Sequence, residues 1–349
     1  MALTQVDQGM LGTNAQYTGF KNRLINSAMV IDQRNAGASV TPTSENYTLD
    51  RWVSQVSQTS KFSVQQNAGS VTPPAGFKNY LGVTSLSAYT VTSTDYFTVE
   101  QRVEGLNAYD LAWGTASAAT VTLSFWVRSS LTGTFGGALR NSAGDRAYPF
   151  SYTISTANTF EQKTITIAGD TTGTWLTTNG VGINVVFGLG NGSTLSGTAG
   201  AWAAGNLFNV TGATSVVGTS GATFYVTGVQ LEKGSTATSF DYRPYTTELQ
   251  LCQRYYQQVG GNTGDLNSIA LRSYTTSGSY VGNQYQFPVQ MRSPPTMTIS
   301  GTFAVTNCGQ PVALGADGST WAFQTQASAT GAMVLYSNNS GKMTFATEP

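Results

Sequence analysis

The chain has 349 residues, enough to bury a sizeable core in two domains or in one large β-domain with an appendage. Only 10% of them are charged, and 17 basic side chains balance 17 acidic ones, so no net field gathers nucleic-acid phosphates or an anionic membrane surface. Histidine is absent, which removes imidazole acid–base catalysis, Ser-His-Asp and Cys-His nucleophilic systems and every His-ligated metal site.

Along the chain, the first residues to about position 20 are polar and punctuated by Gly, with no sustained period of 2 or 3.6, and read as an arm. No apolar stretch of signal-peptide length occurs there, and no segment approaches the ~18 apolar residues of a membrane span. The expectation is a chain made in a cytoplasm that does not insert into a membrane. A short apolar stretch, Leu24 to Asp32, precedes a turn-rich segment ending near Pro42. Tyr47 to Val56 alternates imperfectly, as a bulge or a change of face would make it. Tyr89 to Val103 reads as a long strand or bent pair. Only Glu104 to Trp113 resembles a helical turn. Val121, Leu123, Phe125 and Val127 occupy one face of a strand whose other face carries Thr122, Ser124, Trp126 and Arg128. Ser151–Ile154, Lys163–Ile167, Val181–Leu189 and Ala222–Leu231 continue the series between clusters of Gly, Asn, Asp and Ser, which is the pattern of a sandwich.

Gly190 to Gly221 is nearly all small or polar and is expected to be an exposed excursion that carries function or packs on a neighbour. A small-residue linker, Lys233 to Ser239, then leads to a second β-unit beginning with Leu249 to Tyr256 and including Tyr285 to Arg292, with Pro288, Pro294 and Pro295 confining parts of it to edges or turns. No internal repeat is evident. The organisation expected is all-β: a segment 1–44 serving as an extended N-terminal arm, a β-sandwich over 45–245 and a second, smaller β-domain over 246–349.

Candidate sites are few. Cys252 and Cys308 form no CxxC motif and read as buried free thiols. Glu100 with Glu104, and Glu232 with Asp241, are close in sequence, but that does not establish the spacing of a catalytic carboxylate pair, so they read as solvated or Arg-paired acids and no enzyme is expected. No cofactor or metal is called for, although β-sandwich carbohydrate modules often hold a structural calcium through carboxylates and carbonyls; no Asp-rich loop announces one. Trp52, Phe125, Phe187 and Phe224 sit in periodic segments and read as core. Trp113, Trp175 and Trp202 sit among Gly, Thr, Ala and Asn, where an indole either stacks on a sugar face or plugs a sandwich end; both readings stand. A surface so poor in charge also suits large oligomeric interfaces, with Tyr242 to Tyr245 and Tyr255-Tyr256 as anchors.

Val6 to Thr13 (VDQGMLGT), Phe20 to Arg34 (FKNRLINSAMVIDQR), Tyr47 to Trp52 (YTLDRW), Leu123 to Arg128 (LSFWVR), Val229 to Gly234 (VQLEKG) and Asp241 to Pro244 (DYRP) together resemble a family of bacteriophage virion proteins usually described as tail fibre proteins, over residues 1 to about 256. The resemblance implies a jelly-roll sandwich like that of carbohydrate-binding modules, assembled as a homotrimer on a virus particle and attached to other virion proteins through the N-terminal arm. Its implied role is a tail fibre or receptor-binding adhesin recognising a host cell-surface glycan. The alternative is a purely structural virion component, such as a baseplate part, a short tail appendage or a capsid decoration, without glycan binding; the chain lacks the long repetitive shaft of an extended fibre. Stacking residues would then be Trp113, Trp175, Trp202 and Tyr148 on the jelly roll, and Tyr280, Tyr285, Trp321 and Tyr336 on a C-terminal unit serving as the distal tip.

Overall fold

The alternating segments form antiparallel strands in a computed structural model that describes residues 20–261, 268–338 and 340–349. Two compact units result, the first running to Pro244 and the second spanning Tyr245–Glu348. In the first, β1 (Asn46–Leu49), β2 (Trp52–Val56), β3 (Phe62–Gln66), β4 (Leu81–Ser85), β5 (Tyr96–Glu104), β6 (Val121–Ser129), β7 (Gly133–Arg140), β8 (Arg146–Ile154), β9 (Glu161–Ile167) and β10 (Val181–Asn191) are followed by three two-residue bridges, β11 (Ser196–Gly197), β12 (Ala203–Ala204) and β13 (Asn209–Val210), and by β14 (Thr223–Lys233). They make a seven-stranded sheet, β1-β2-β5-β10-β7-β8-β12, and a five-stranded sheet, β3-β4-β14-β6-β9, with β11 and β13 as a separate parallel pair. The chain changes sheet at β2–β3, β4–β5, β5–β6, β6–β7, β8–β9 and β9–β10, the weave of a jelly-roll sandwich.

The core between the sheets comes from the inward register of each strand. Trp52, Val99, Leu139, Phe150 and Phe187 from one sheet meet Phe62, Val83, Leu123, Phe125 and Phe224 from the other. Phe125 meets Phe187 and Tyr152 edge-on, each at 5.0 Å between ring centroids. The opposite face of β6 is less open than its hydroxyls imply: Thr122 is fully buried and donates to the Gly234 carbonyl at 2.8 Å. Tyr47 to Val56 is a hairpin in which Arg51 turns the chain at φ +69 between β1 and β2, and the pairing shifts register between Tyr47 and Leu49, the bulge that the imperfect alternation implied.

Three expectations need correction. Residues 20–44 are not an arm; what was expected of residues 1–19 lies outside the described residues. Leu24 and Met29 are buried in the sandwich core, and the Asn22 side chain bonds the backbone of Val229 and Leu231. The cause is β14, whose pairing with β6 shifts register between Thr227 and Gln230 and leaves backbone groups that residues 22–27 satisfy. Asp241 accepts from the amides of Lys21 and Asn22, and the Arg243 guanidinium donates to the carbonyls of Asn22 and Leu24, so the end of the unit locks its beginning.

Second, Gly190 to Gly221 is not an exposed excursion: Phe208, Val210, Val216 and Val217 are buried. Third, the run expected to open the next unit as a strand is a helix, α1 (Tyr245–Gln253), which begins just after Pro244 and buries Glu248 and Cys252 one turn apart.

The second unit continues with β15 (Tyr256–Gly260), β16 (Ala270–Thr275), β17 (Tyr280–Gln286), β18 (Thr296–Ser300), β19 (Ala304–Thr306), β20 (Val312–Ala316), β21 (Thr320–Gln326), β22 (Gly331–Tyr336) and β23 (Lys342–Ala346), in three three-stranded sheets, β15-β23-β18, β16-β22-β19 and β17-β21-β20. Leu271, Phe303, Trp321, Phe323, Leu335, Met343 and Phe345 fill its core. Cys252 and Cys308 are both buried, and no disulfide joins them.

Candidate functional site

Three tryptophans far apart in sequence meet at one end of the sandwich. Trp113 follows the turns after β5, Trp175 lies between β9 and β10, and Trp202 immediately precedes β12. Their rings pack edge to face at 4.8 Å (Trp113–Trp175), 5.3 Å (Trp113–Trp202) and 5.3 Å (Trp175–Trp202), and Tyr148 of β8 joins Trp202 at 5.3 Å. Each indole N–H is spent on the backbone beneath it: Trp113 on Ala119, Trp175 on Thr172 and Trp202 on Ala168. Trp113 and Tyr148 are buried, and burial raises the Tyr148 phenol above its ordinary pKa, whereas Trp175 and Trp202 are half-exposed. The cluster is therefore a plug with an open rim, combining the two roles a loop tryptophan can take.

Loop geometry holds the rim. Arg146 grips Asp170 through two hydrogen bonds of 2.8 and 2.7 Å, and the Asp170 carbonyl accepts from the Gly114 amide. Burial opposes ionisation of Asp170, but the Arg146 guanidinium and Thr172 outweigh it and hold the carboxyl below its usual range. Gly114, at φ +82, has the Gly173 carbonyl 2.7 Å from where a Cβ would stand, so only glycine lets these two loops meet.

Around the plug lies an apolar margin that the sequence pattern concealed: Tyr109 is 64% exposed, Leu106 49% and Leu176 38%. Tyr109, Trp113, Trp175 and Leu176 line one small cavity. In a helix, Leu106 and Tyr109 would share an inward face. The chain instead makes two 3-10 turns, Gly105–Asn107 and Tyr109–Leu111, which put Leu111 inside and both of these outside. Next to Tyr109, the Asp110 carboxylate receives both Arg23 Nη atoms at 2.8 Å and lies 3.6 Å from Lys233 Nζ. The margin thus offers apolar faces beside charged and carbonyl groups, the mixture that recognises a sugar ring and its hydroxyls.

The C-terminal candidates do not assemble in the same way. Trp321 is buried and belongs to the core of the second unit, which corrects its reading as a stacking surface. Tyr285 stacks on it at 4.6 Å across the β17–β21 register and donates its hydroxyl to the Ala270 carbonyl. Tyr336 is half-buried opposite Ala270 and Ala304, and Tyr280, 63% exposed, begins β17.

The acidic candidates act as internal acceptors. Glu100 is buried and takes bonds from Gln55 and Arg102; burial raises its pKa, against the pull of Arg102 and Arg140. Glu104 is buried, Glu232 receives the amide and hydroxyl of Thr238, and Asp241 holds the backbone at residues 21–22. Among the described residues, no group of three or more Cys, Asp or Glu side chains is placed to hold a metal ion, and no helix is long and apolar enough to cross a membrane.

No family model and no curated protein matches the chain. Among solved structures it is similar to the enzymatically active domain of tailspike protein 4 of bacteriophage CBA120, at 12% identity and a TM-score of 0.31 over 53% of this chain, which is only 20% of that chain. It is also similar to a family 11 carbohydrate-binding module of a Clostridium thermocellum cellulosomal cellulase, at 13% identity and a TM-score of 0.28, covering 59% of this chain and 100% of that one. A third similarity, at 10% identity and a TM-score of 0.30, covers 61% of this chain and 99% of a carbohydrate-binding module in complex with β-1,4-galactotriose. The structures it resembles thus include a phage tailspike domain and several carbohydrate-binding modules.

Proposed function

We propose that the protein is a non-catalytic saccharide-binding component of a phage particle, a receptor-binding adhesin of tail fibre type that engages a host surface glycan. One observation carries the binding role: Trp113, Trp175, Trp202 and Tyr148 converge on a single end of the sandwich, and Tyr109, Leu106 and Leu176 extend that cluster to the surface. Tyr109 and the exposed side of Trp175 are the stacking groups, with Asp110, Arg23 and Lys233 next to Tyr109 to bond ring hydroxyls. The tail-fibre-like segments supply the virion context, and a homotrimer would raise a weak single-site affinity through multivalency.

The test is a glycan array probed with the full chain, its Tyr109→Ala variant and its Trp175→Ala variant, each checked for melting temperature. Binding by the unmodified chain that drops at least tenfold in both variants supports the reading. A specific observation favours the structural alternative: all three indole N–H groups are already consumed in the plug. Absence of any array signal, with trimers forming by light scattering, would select that alternative.

A further inference from the structure

One tryptophan of the first unit stands apart from the others. Phe125 and Val127 enter the core, so Trp126 between them lies on the outward face of the five-stranded sheet, where it is half-buried. Trp52, Trp113, Trp175 and Trp202 each spend the indole N–H on a backbone carbonyl, and each packs against another aromatic ring. Trp126 has neither a hydrogen bond nor a ring contact among the described residues, and its N–H reaches solvent.

Its neighbours on the ladder are donors rather than aliphatic groups. Trp126 pairs with Gln162 of β9 on one side and Thr227 of β14 on the other. Gln162 is exposed, and its amide makes no hydrogen bond among the described residues. In the next row Arg128 is paired with Tyr225, and its guanidinium lies over that ring, 5.2 Å from the centroid. Its Nε donates to the Asn158 carbonyl at 2.9 Å. Tyr225 is part of an aromatic pad with Tyr80 and the half-buried Phe160. These contacts fix the guanidinium and leave both Nη atoms without a partner among the described residues. The carboxylates on the same strands are already committed: Glu161 takes Lys163 and the amides of Ser155 and Thr156, and Glu232 takes Gln230 and Thr238. Arg128 therefore leaves a positive charge uncompensated beside the indole.

We infer that Trp126, Arg128 and Gln162 form a second saccharide-binding site, on the outward face of the five-stranded sheet, for a sugar that carries a carboxylate, such as a uronic or sialic acid. The sugar ring stacks on the indole face. Its carboxylate takes the two Nη donors of Arg128, and its hydroxyls exchange bonds with the Gln162 amide and the indole N–H. Charge sets this ligand apart from a neutral glycan. A second copy of the chain fits less well, because the ladder sets Gln162, Thr227, Ser124 and Thr164 beside the indole, whereas the centre of a protein interface is apolar. The site shares no residue with the Trp113, Trp175 and Trp202 cluster and stands whether or not that cluster binds a glycan.

The experiment uses the full chain with Tyr109→Ala throughout, so that the aromatic end does not contribute. Trigalacturonate and sialyllactose are titrated calorimetrically beside their neutral counterparts, galactotriose and lactose. At least one acidic sugar should bind about tenfold or more tightly than its counterpart, as a charge-assisted pair provides, and that preference should shrink with added salt. Arg128→Gln should remove the preference, and Trp126→Ala should abolish binding. Should Trp126→Ala fail to fold, Trp126→Phe keeps a ring, loses the N–H and should weaken binding severalfold at an unchanged melting temperature. No binding of either acidic sugar would overturn the inference, as would binding indifferent to the Trp126 substitution or a preference that survives Arg128→Gln. Oligomers that fall apart in Trp126→Ala by light scattering, with no saccharide bound by the Tyr109→Ala chain, would assign the face to contact between copies and overturn it as well.

Discussion

Truncation of Phe125 to alanine tests the register on which the sandwich rests. The side chain is fully buried and touches both sheets, meeting Phe187 and Tyr152 edge-on at 5.0 Å. Removing it loses the transfer free energy of a phenyl ring, leaves a cavity that two packed sheets close poorly, and abolishes two aromatic pairs; about 3–5 kcal/mol is the expected cost. For a unit of this size that corresponds to a fall in melting temperature of roughly 6–20 °C. Tryptophan fluorescence during urea unfolding is a selective readout, because Trp52, Trp113, Trp126, Trp175 and Trp202 lie in the first unit and Trp321 in the second. A loss below about 1 kcal/mol would mean that Phe125 does not face the core and that the β6 register is wrong.

Thr122→Ala, on the opposite face of the same strand, should cost about 1–3 kcal/mol by the same assay, since its buried hydroxyl holds the Gly234 carbonyl. Burial opposes ionisation of Asp95, but the Thr92 amide and hydroxyl, Ser57 and Tyr89 outweigh it and lower its pKa from 3.8 to about 2. The folded state therefore takes up this proton later than the unfolded chain, so the contribution is complete above the unfolded value and is lost as pH falls toward 2. Asp95→Asn should flatten that acid limb in melting curves recorded from pH 5 to pH 2, and an unchanged limb would refute the assignment. Tyr109→Ala should leave stability within about 0.5 kcal/mol, because the side chain is mostly solvated, while Asp170→Asn should destabilise by releasing Arg146 and loosening the loop that carries Trp175.

Three of the segments that resemble tail fibre proteins turn out to be clamps. Phe20 to Arg34, Val229 to Gly234 and Asp241 to Pro244 meet through Asn22, Asp241 and Arg243, where the chain closes β14 against its own beginning. Such residues are distinctive because each must satisfy a particular backbone group, and their work is structural.

By itself the sequence determined the fold class and most strands after residue 45, because alternation is a local property: Val121, Leu123, Phe125 and Val127 point one way whatever the rest of the chain does. It also marked Trp113, Trp175 and Trp202 as loop residues. That these three meet follows from where β5, β9 and the bridge β12 end in space, which no single segment encodes. Tertiary packing likewise decided that Leu106 and Tyr109 face solvent, that residues 22–31 enter the core, and that Phe208 packs against Tyr96 and the Arg140 guanidinium. These outcomes rest on pairings between segments a hundred or more residues apart, or on a turn type that composition leaves open. No local pattern encodes which unsatisfied backbone group a distant segment will find.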